Sequence, residues 1–399
     1  MVSSYRWPPL SMEPCVAFTC PAPHRRIQIM KSLVFCLLGL CGTAIITGSA
    51  ISQDYKLGDQ VIVIEDASLQ LSGDTKVGEV SLGDVLQVKA INDKWLWVKD
   101  DTTGWLHQRH VVPLNRAAIE QFTKLVNENP KNAGAYVKRG NVWLKLNEIE
   151  SAIADFGEAI RLAPKMSLAY NNRGAAWFSK GEYDKAIEDY SEAIQIDPKE
   201  KLAYYNRGNV WLEKGEYDKA VEDYNEAIQL DPKMSQAYCN RGLAWHNKGD
   251  YDREIKDYNE AIRLEPKLSL AYVNRGYAWS DKSQYDRAIK DFNESIRLDP
   301  NVADGYNELA WLLATCPSSE YRDGEQAVHH ATKACELTNW KNDSYVDTLS
   351  AAHAAAGDFE KAIQYLDQAI GLNPDIDKDT REAMRSAFKQ GKPYLDQRP

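Results

Sequence analysis

Residues 168–198 read LAYNNRGAAWFSKGEYDKAIEDYSEAIQIDP, and residues 202–232 repeat this stretch closely as LAYYNRGNVWLEKGEYDKAVEDYNEAIQLDP. The two stretches lie 34 residues apart, and the period continues in both directions along a column of prolines: Pro164, Pro198, Pro232, Pro266 and Pro300. A constant period of this length predicts a solenoid of stacked helix–turn–helix units. One such unit cannot bury its own apolar face, so its stability must come from packing against its neighbours.

Each period contains two helical patterns separated by a turn. Tyr170, Gly174 and Trp177 stand at i, i+4 and i+7 and therefore share one face of the first predicted helix. Gly181 accepts the positive φ with which a helix ends, and Pro198 ends the second helix. These columns resemble the tetratricopeptide (TPR) repeat over roughly residues 116–391. The resemblance implies an all-α TPR superhelix, an α-solenoid, that binds other proteins through its concave face.

The period also sets the repeat boundaries. We predict a leading half-repeat helix at residues 116–131, seven repeats at residues 132–374, and a capping helix with a tail at residues 375–399. Glu254 departs from the pattern, because the equivalent position of the other repeats holds alanine. Two interpretations stay open: the fourth repeat is splayed there, or the carboxylate reaches outward. On either one, Glu254→Ala is expected to raise the melting temperature.

A β-rich unit precedes the repeats at residues 55–114. Short runs rich in valine, leucine and tryptophan alternate with Gly-, Asn- and Asp-rich turns, which predicts about five strands and a small barrel. The unit resembles the bacterial Src-homology-3-like (SH3-like) domain at residues 83–88, 95–98, 103–106 and 111–112. That resemblance implies contacts with cell-wall peptides or with other proteins. Trp95, Trp97 and Trp105 form the candidate ligand face; the alternative is a face that packs on the first repeat helices.

The amino terminus has the pattern of a targeting segment. Residues 30–50 combine Lys31, an uncharged apolar run and small residues at the end, which is the organisation of a secretory signal peptide. The alternative is an uncleaved membrane anchor, because residues 33–51 are just long enough to span a bilayer. Residues 1–29 lack any periodic pattern and are interpreted as an upstream start-site artefact. We therefore predict an exported protein of the periplasm or cell envelope, or one anchored by residues 33–51.

Composition and motifs limit the classes of function that this protein is expected to have. The chain has a net charge of −10, and binding to nucleic-acid phosphates needs clustered Lys and Arg, so nucleic acid is excluded as a partner. The sequence shows no nucleophile elbow, phosphate loop, zinc-binding helix or cysteine-pair cluster. We accordingly predict no catalytic residues, no metal site and no cofactor.

In TPR arrays the first helices line the concave groove, and here one column of that face holds asparagine in four consecutive repeats. An asparagine amide both donates to and accepts from a peptide backbone. The column resembles the asparagine ladder in the TPR part of O-linked N-acetylglucosamine transferase; alternatively, the amides only solvate the groove and bond to each other. The predicted groove residues are Lys138, Asn141, Asn172, Tyr205, Asn206, Asn209, Asn240 and Asn274.

A second column pairs an arginine with an aspartate 16 residues later in each repeat. On helices that pack antiparallel, this spacing predicts a structural ion pair; the alternative is an anion-binding stripe. The pairs singled out are Arg173 with Asp189 and Arg207 with Asp223. If the pair is structural, Arg207→Met destabilises the fold; if it is a stripe, the same change removes ligand binding without loss of stability.

These features together predict an exported scaffold that binds a protein or an extended peptide in its concave groove. The alternative is a structural cell-envelope protein that holds cell-wall material through its β unit. A membrane contact is expected only through the amino-terminal segment, if that segment stays uncleaved.

Overall fold

The computed structural model describes residues 60–63, 67–70, 76–80, 85–92, 95–99, 103–107 and 111–396. The predicted start-site artefact, the signal peptide and the anchor lie outside these residues. The described chain divides into two compact units, one ending at Ala203 and the other beginning at Tyr204. No described helix is both long enough and apolar enough to cross a membrane.

The first unit begins with seven short strands in an antiparallel sheet of order β3-β2-β6-β5-β4-β1-β7. Valine and leucine side chains that alternate along the strands form its buried core, as expected for a sheet with one covered face. The SH3-like identity of this sheet stays a prediction. The strands are β1 (Gln60–Val63), β2 (Ala67–Gln70), β3 (Lys76–Val80), β4 (Val85–Asn92), β5 (Trp95–Lys99), β6 (Thr103–His107) and β7 (Val111–Pro113).

Ile62 joins the sheet to the helices of the same unit. It lies on the opposite side of β1 from Val61 and Val63 and packs with Phe122 and Val142. The helices that follow are α1 (Arg116–Glu128), α2 (Ala133–Lys145), α3 (Ile149–Leu162), α4 (Ser167–Lys180) and α5 (Tyr183–Ile196), and α6 (Lys201–Glu213) begins in this unit.

The second unit consists of the helices from Tyr204 in α6 to α16 and the short segment that follows α16. Its longest connection, between α12 and α13, contains a 3₁₀ turn at Ser319–Tyr321. The helices are α7 (Tyr217–Leu230), α8 (Ser235–Asn247), α9 (Tyr251–Leu264), α10 (Ser269–Asp281), α11 (Tyr285–Leu298), α12 (Ala303–Thr315), α13 (Gly324–Leu337), α14 (Asp343–Ala355), α15 (Phe359–Leu372) and α16 (Lys378–Lys389). The predicted all-α helical-repeat fold is confirmed for the part of the chain after the strands.

A glycine on the first helix of each hairpin allows close packing against an aromatic ring on the second. A Cβ atom placed on Gly174 would lie 2.9 Å from the ring of Tyr190, and one on Gly208 would lie 2.8 Å from the ring of Tyr224. Both rings are fully buried. Any larger residue at these glycines would push the two helices apart, which explains the glycine column.

Glu254 points into the protein. Its side chain is fully buried on α9, so the prediction that the carboxylate reaches outward is wrong. The reason is a second departure from the repeat pattern: His246 on α8 stands where the three preceding repeats hold Leu144, Phe178 and Leu212, and its Nδ1 lies 3.2 Å from Glu254 Oε2. Two polar substitutions therefore compensate each other inside one hairpin.

Candidate functional site

Two predicted groove residues of the first unit, Asn141 and Asn172, bond to each other. Asn172 on α4 donates from Nδ2 to Oδ1 of Asn141 on α2, at a distance of 2.9 Å. Its own Oδ1 accepts a hydrogen bond from Asn171 Nδ2 at 3.2 Å. A carboxamide carries two N–H donors and an oxygen acceptor, so this arrangement uses part of its capacity. The amides thus bridge two successive first helices.

The second unit contains an equivalent bridge. Asn240 on α8 donates from Nδ2 to Oδ1 of Asn209 at 2.9 Å and to the hydroxyl of Tyr205 at 3.1 Å, both on α6. The Asn209 oxygen also accepts from the Tyr224 hydroxyl at 2.7 Å. Asn240 therefore holds a preset orientation, with its donors directed toward the preceding first helix.

A bridge joins two columns of the repeat: the first column contains Asn172 and Asn240, and the second contains Asn141 and Asn209. It forms where both residues of a pair 31 positions apart are asparagine. The second column holds Ala175, Leu243, Tyr277 and Trp311 in the second, fourth, fifth and sixth repeats, so these columns produce one bridge in each unit. The remaining groove residues are placed on the same column as Asn172 and Asn240: Lys138 and Asn206 are half-buried, and Asn274 is buried. The sequence identified the column of Asn172 and Asn240, and its alternative interpretation, that the amides bond to each other, describes these two bridges.

The arginine–aspartate columns form a clamp inside five of the hairpins. In the third repeat, Arg207 donates from Nε and Nη2 to the two carboxylate oxygens of Asp223, and both donor–acceptor distances are 2.8 Å. Such bidentate pairing is the strongest common form of ionic hydrogen bond. The same geometry holds in five repeats: Arg139 with Asp155, Arg173 with Asp189, Arg207 with Asp223, Arg241 with Asp257 and Arg275 with Asp291.

The clamp leaves the arginine little freedom to bind an external anion. The guanidinium of Arg207 also lies over the ring of Tyr204, with its central carbon 5.9 Å from the ring centroid. Burial raises the pKa of Asp223 against the opposing effect of its hydrogen bonds from Arg207. An aspartate in this setting depends on its partner to remain ionised, which favours the structural interpretation over the stripe.

Glu254, His246 and Asp281 form a buried polar cluster on α8, α9 and α10. The carboxylate of Asp281 lies 3.9 Å from His246 Nδ1, and the Oε1 atom of Glu254 is buried with no hydrogen-bond partner. Burial raises the pKa of the Glu254 carboxyl above its ordinary value, against the opposing attraction of His246. The ionised carboxylate therefore costs stability at neutral pH.

We expect the double replacement of His246 by Leu and Glu254 by Ala to raise the free energy of unfolding by about 1–4 kcal/mol at pH 7, the range for exchanging a buried charged pair for apolar residues. Leu212 and Ala220 are the equivalent residues of the third repeat. Urea denaturation followed by circular dichroism measures the change. Glu254→Ala alone is the control, and its gain should be smaller because His246 loses its partner.

The gain should also depend on pH. Because the pKa of Glu254 is raised in the folded state, the wild-type penalty is present while the carboxyl is ionised and disappears as the pH falls below that pKa. The difference between the variant and the wild type should therefore shrink as the pH is lowered from neutrality through the raised pKa of Glu254. A double variant that is less stable than the wild type would contradict this account, as would a difference in free energy of unfolding that does not change with pH.

The predicted ligand face of the β unit is only partly described. Trp95 and Trp97 lie on β5 and Trp105 on β6, and the strand register places Trp97 opposite Trp105. The side chains of these three residues lie outside the described atoms. Across the described residues, no three His, Cys, Asp or Glu side chains come together as a possible metal site.

Family models match six stretches of this chain. Those described as tetratricopeptide repeat match residues 115–167, 167–200, 235–268, 269–302 and 348–376, and one described as TPR repeat matches residues 208–249. The matched stretches carry the helical hairpins that hold the amide bridges and the clamps. No curated protein sequence matches the chain.

Solved structures share the helical-repeat fold. The APC/C hetero-tetramer Cut9–Hcn1 gives a TM-score of 0.51 at 21% identity, covering 60% of this chain and 46% of that chain. YrrB, described as a TPR protein with an unusual peptide-binding site, gives 0.40 at 23% identity, covering 47% of this chain and 97% of that chain. Yeast Tom70 gives 0.48 at 20% identity, covering 69% of this chain and 58% of that chain. Of these three, only Cut9–Hcn1 exceeds a TM-score of 0.5, and at 21% identity that similarity shows the fold alone.

Proposed function

This chain contains tetratricopeptide repeats, and we propose that it is an exported, non-enzymatic scaffold that binds an extended segment of a partner protein along the first helices of its repeats. The observation that carries the proposal is the pair of amide bridges, Asn172 with Asn141 and Asn240 with Asn209. They hold carboxamides in fixed orientations on successive first helices. A bound peptide backbone offers the matching donors and acceptors, residue after residue.

The bridges suit a ligand that is recognised by its main chain. When no peptide is bound, the amides satisfy each other, so the first helices carry no penalty for unpaired polar groups. An incoming backbone exchanges the bond between two amides for bonds to itself. Binding then depends weakly on the ligand's sequence, and side-chain contacts with residues such as Tyr205 supply the selectivity. The partner is a protein or an extended peptide; nucleic acid does not fit a chain of net charge −10.

We expect replacement of both Asn172 and Asn240 by Ala to weaken capture of the partner by about ten-fold or more, because each amide hydrogen bond contributes about 0.5–1.5 kcal/mol. A photoreactive amino acid at Asn206 captures the partner in intact cells. The same amino acid at Glu226, exposed on α7, is the matched control for capture. Asn293→Ala, on an exposed part of α11, is the control for the substitutions.

The same experiment tests export. Captured protein is sequenced from its amino end, and a start near residue 50 would support a cleaved signal peptide, whereas a start at Met1 or Met30 would contradict it. Equal capture at Asn206 and Glu226, or capture that the two Asn replacements leave unchanged, would overturn the scaffold proposal.

A second candidate function is attachment to the cell wall through the β unit. The register that places Trp97 opposite Trp105 favours it, because neighbouring aromatic residues on adjacent strands suit a peptide or sugar ligand. Sedimentation of the intact protein with isolated cell wall, lost on Trp97→Ala, would favour this function over the scaffold.

A further inference from the structure

The carboxyl-terminal tail folds back onto the first helix of the sixth repeat. After α16, Gly391 takes a φ of +65° and turns the chain. The segment at residues 392–396, here called the tail, then runs to α12. The ring of Tyr394 packs against the ring of Trp311, with their centroids 6.1 Å apart. The Asp396 carboxylate accepts a hydrogen bond from Trp311 Nε1 at 2.8 Å.

The tail also bonds to α12 through its main chain. The backbone N–H of Asp396 donates to the carbonyl oxygen of Thr315 at 2.8 Å. Thr315 is the last residue of α12, so its carbonyl is one of the acceptors that a helix leaves unpaired at its end. We call the surface made by Trp311 and the Thr315 carbonyl the tail slot.

The tail has the alternation of an extended ligand. Tyr394 is half-buried and Asp396 is buried, whereas Leu395 between them is exposed. In an extended chain alternate side chains face opposite sides, so Tyr394 and Asp396 both face the slot. The recognised pattern is an aromatic residue followed two positions later by a carboxylate.

The tail slot lies on the same column of the repeats as the amide bridges. Trp311 is equivalent to Asn209 of the third repeat, and the intervening repeats hold Leu243 and Tyr277 there. The first helices that we propose as the partner's binding face thus carry, in the sixth repeat, a tryptophan that is already occupied by a segment of the same chain.

We propose that the tail slot is a peptide-binding site for extended segments with an aromatic residue followed two positions later by a carboxylate, and that the tail fills this site as a built-in competitor. The inference rests on the proposed function and names the chemistry of one class of partner. A partner segment that carries the pattern displaces the tail and takes over its contacts with Trp311 and Thr315.

The short connection to α16 gives the tail an advantage over a free peptide. A ligand tethered by a short linker acts at an effective concentration on the order of millimolar. If the tail segment by itself binds the empty slot with a dissociation constant of about 50 μM, an effective concentration of about 1 mM weakens the binding of a competing free segment about twenty-fold. The tail sets a threshold that only abundant or tightly binding partners overcome.

The test uses the full chain with Tyr394 and Asp396 both replaced by Ala, which empties the slot. The probe is a fluorescein-labelled synthetic peptide of residues 390–399, QGKPYLDQRP. Fluorescence anisotropy should show that this peptide binds the emptied chain at least ten-fold more tightly than it binds the wild-type chain.

Three controls accompany the titration. A peptide with Ala in place of both Tyr and Asp should not bind the emptied chain. Adding Trp311→Phe to the emptied chain keeps an aromatic ring at this position but removes the indole Nε1 donor. This change should weaken peptide binding about ten-fold. Asp396→Ala alone serves as a milder variant, with circular dichroism to verify that each chain folds.

Two results would overturn the inference: equal binding to the emptied and wild-type chains, or no binding to an emptied chain that is folded. Neither result touches the capture experiment at Asn206, which tests the proposed function with a cellular partner. Conversely, if no partner is captured at Asn206 but the peptide binds the emptied chain more tightly, the tail slot is still supported as a site for this peptide pattern.

Discussion

Replacing Arg207 by Met should lower the free energy of unfolding by about 3 kcal/mol, the low end of the range for breaking a buried ion pair. The substitution keeps much of the aliphatic stem but removes both hydrogen bonds to Asp223, whose side chain is only 7% exposed. A buried carboxylate without its partner must either remain ionised at a cost or take up a proton. Arg207 keeps some exposure to solvent, which places the effect at the low end.

Chemical denaturation of the full chain measures this loss. The matched control is Arg297→Met, because Arg297 pairs with Glu294 on the surface of α11 and is 67% exposed. Exposed pairs contribute little, so the control should leave the free energy of unfolding nearly unchanged. If Arg207→Met kept wild-type stability but lost the captured partner, the anion stripe would replace the clamp as the explanation of this column.

Replacing Arg381 by Met should cost about 4 kcal/mol and release the last helix from the array. Arg381 on α16 is 3% exposed and donates from Nη2 to Asp347 at 2.7 Å and to Asp343 at 2.8 Å, both on α14. Its Nη1 donates to the carbonyl of Asn373 at 2.5 Å and to that of Ile376 at 3.0 Å. One guanidinium therefore satisfies four acceptor groups, and its loss leaves the buried carboxylate of Asp347 and the half-buried carboxylate of Asp343 without this partner.

Hydrogen exchange localises this effect. Amides of α16 should exchange faster by two to three orders of magnitude, since about 4 kcal/mol of local stability corresponds to a factor of that size. Amides of α4 and α5 should be unchanged. Arg385→Met is the matched control on the same helix, because Arg385 pairs with the exposed Asp367. Uniform acceleration through all helices would show that Arg381 acts on the whole array instead.

The repeats themselves could be read from the sequence because their contacts recur at the period of the chain. Gly174 meets Tyr190, and Arg173 meets Asp189, each 16 residues apart, and the same pairs return every 34 residues. A contact that recurs in five repeats leaves a visible column. The helical hairpins and the clamp geometry follow from such columns.

Contacts without a column could not be foreseen. The bridge from Asn240 to Asn209 needs two columns to hold asparagine in successive repeats, so the sequence left open whether the amides face a ligand or bond to each other. Glu254 looked like an isolated exception until the distance to His246 showed its partner. Trp311 and Asp396 lie 85 residues apart and belong to no period, so the tail slot emerges only from the folded chain.

The clamp between Arg207 and Asp223 closes a loop of 16 residues inside one hairpin, and the glycine–ring contact does the same. Each such 34-residue segment is therefore stabilised by contacts within itself, and every one of these contacts joins residues close together in the chain. A copying event that inserted or removed one whole segment would preserve all of these bonds. The length of the array is therefore free to change by whole segments during evolution, while the hairpin interior stays the same.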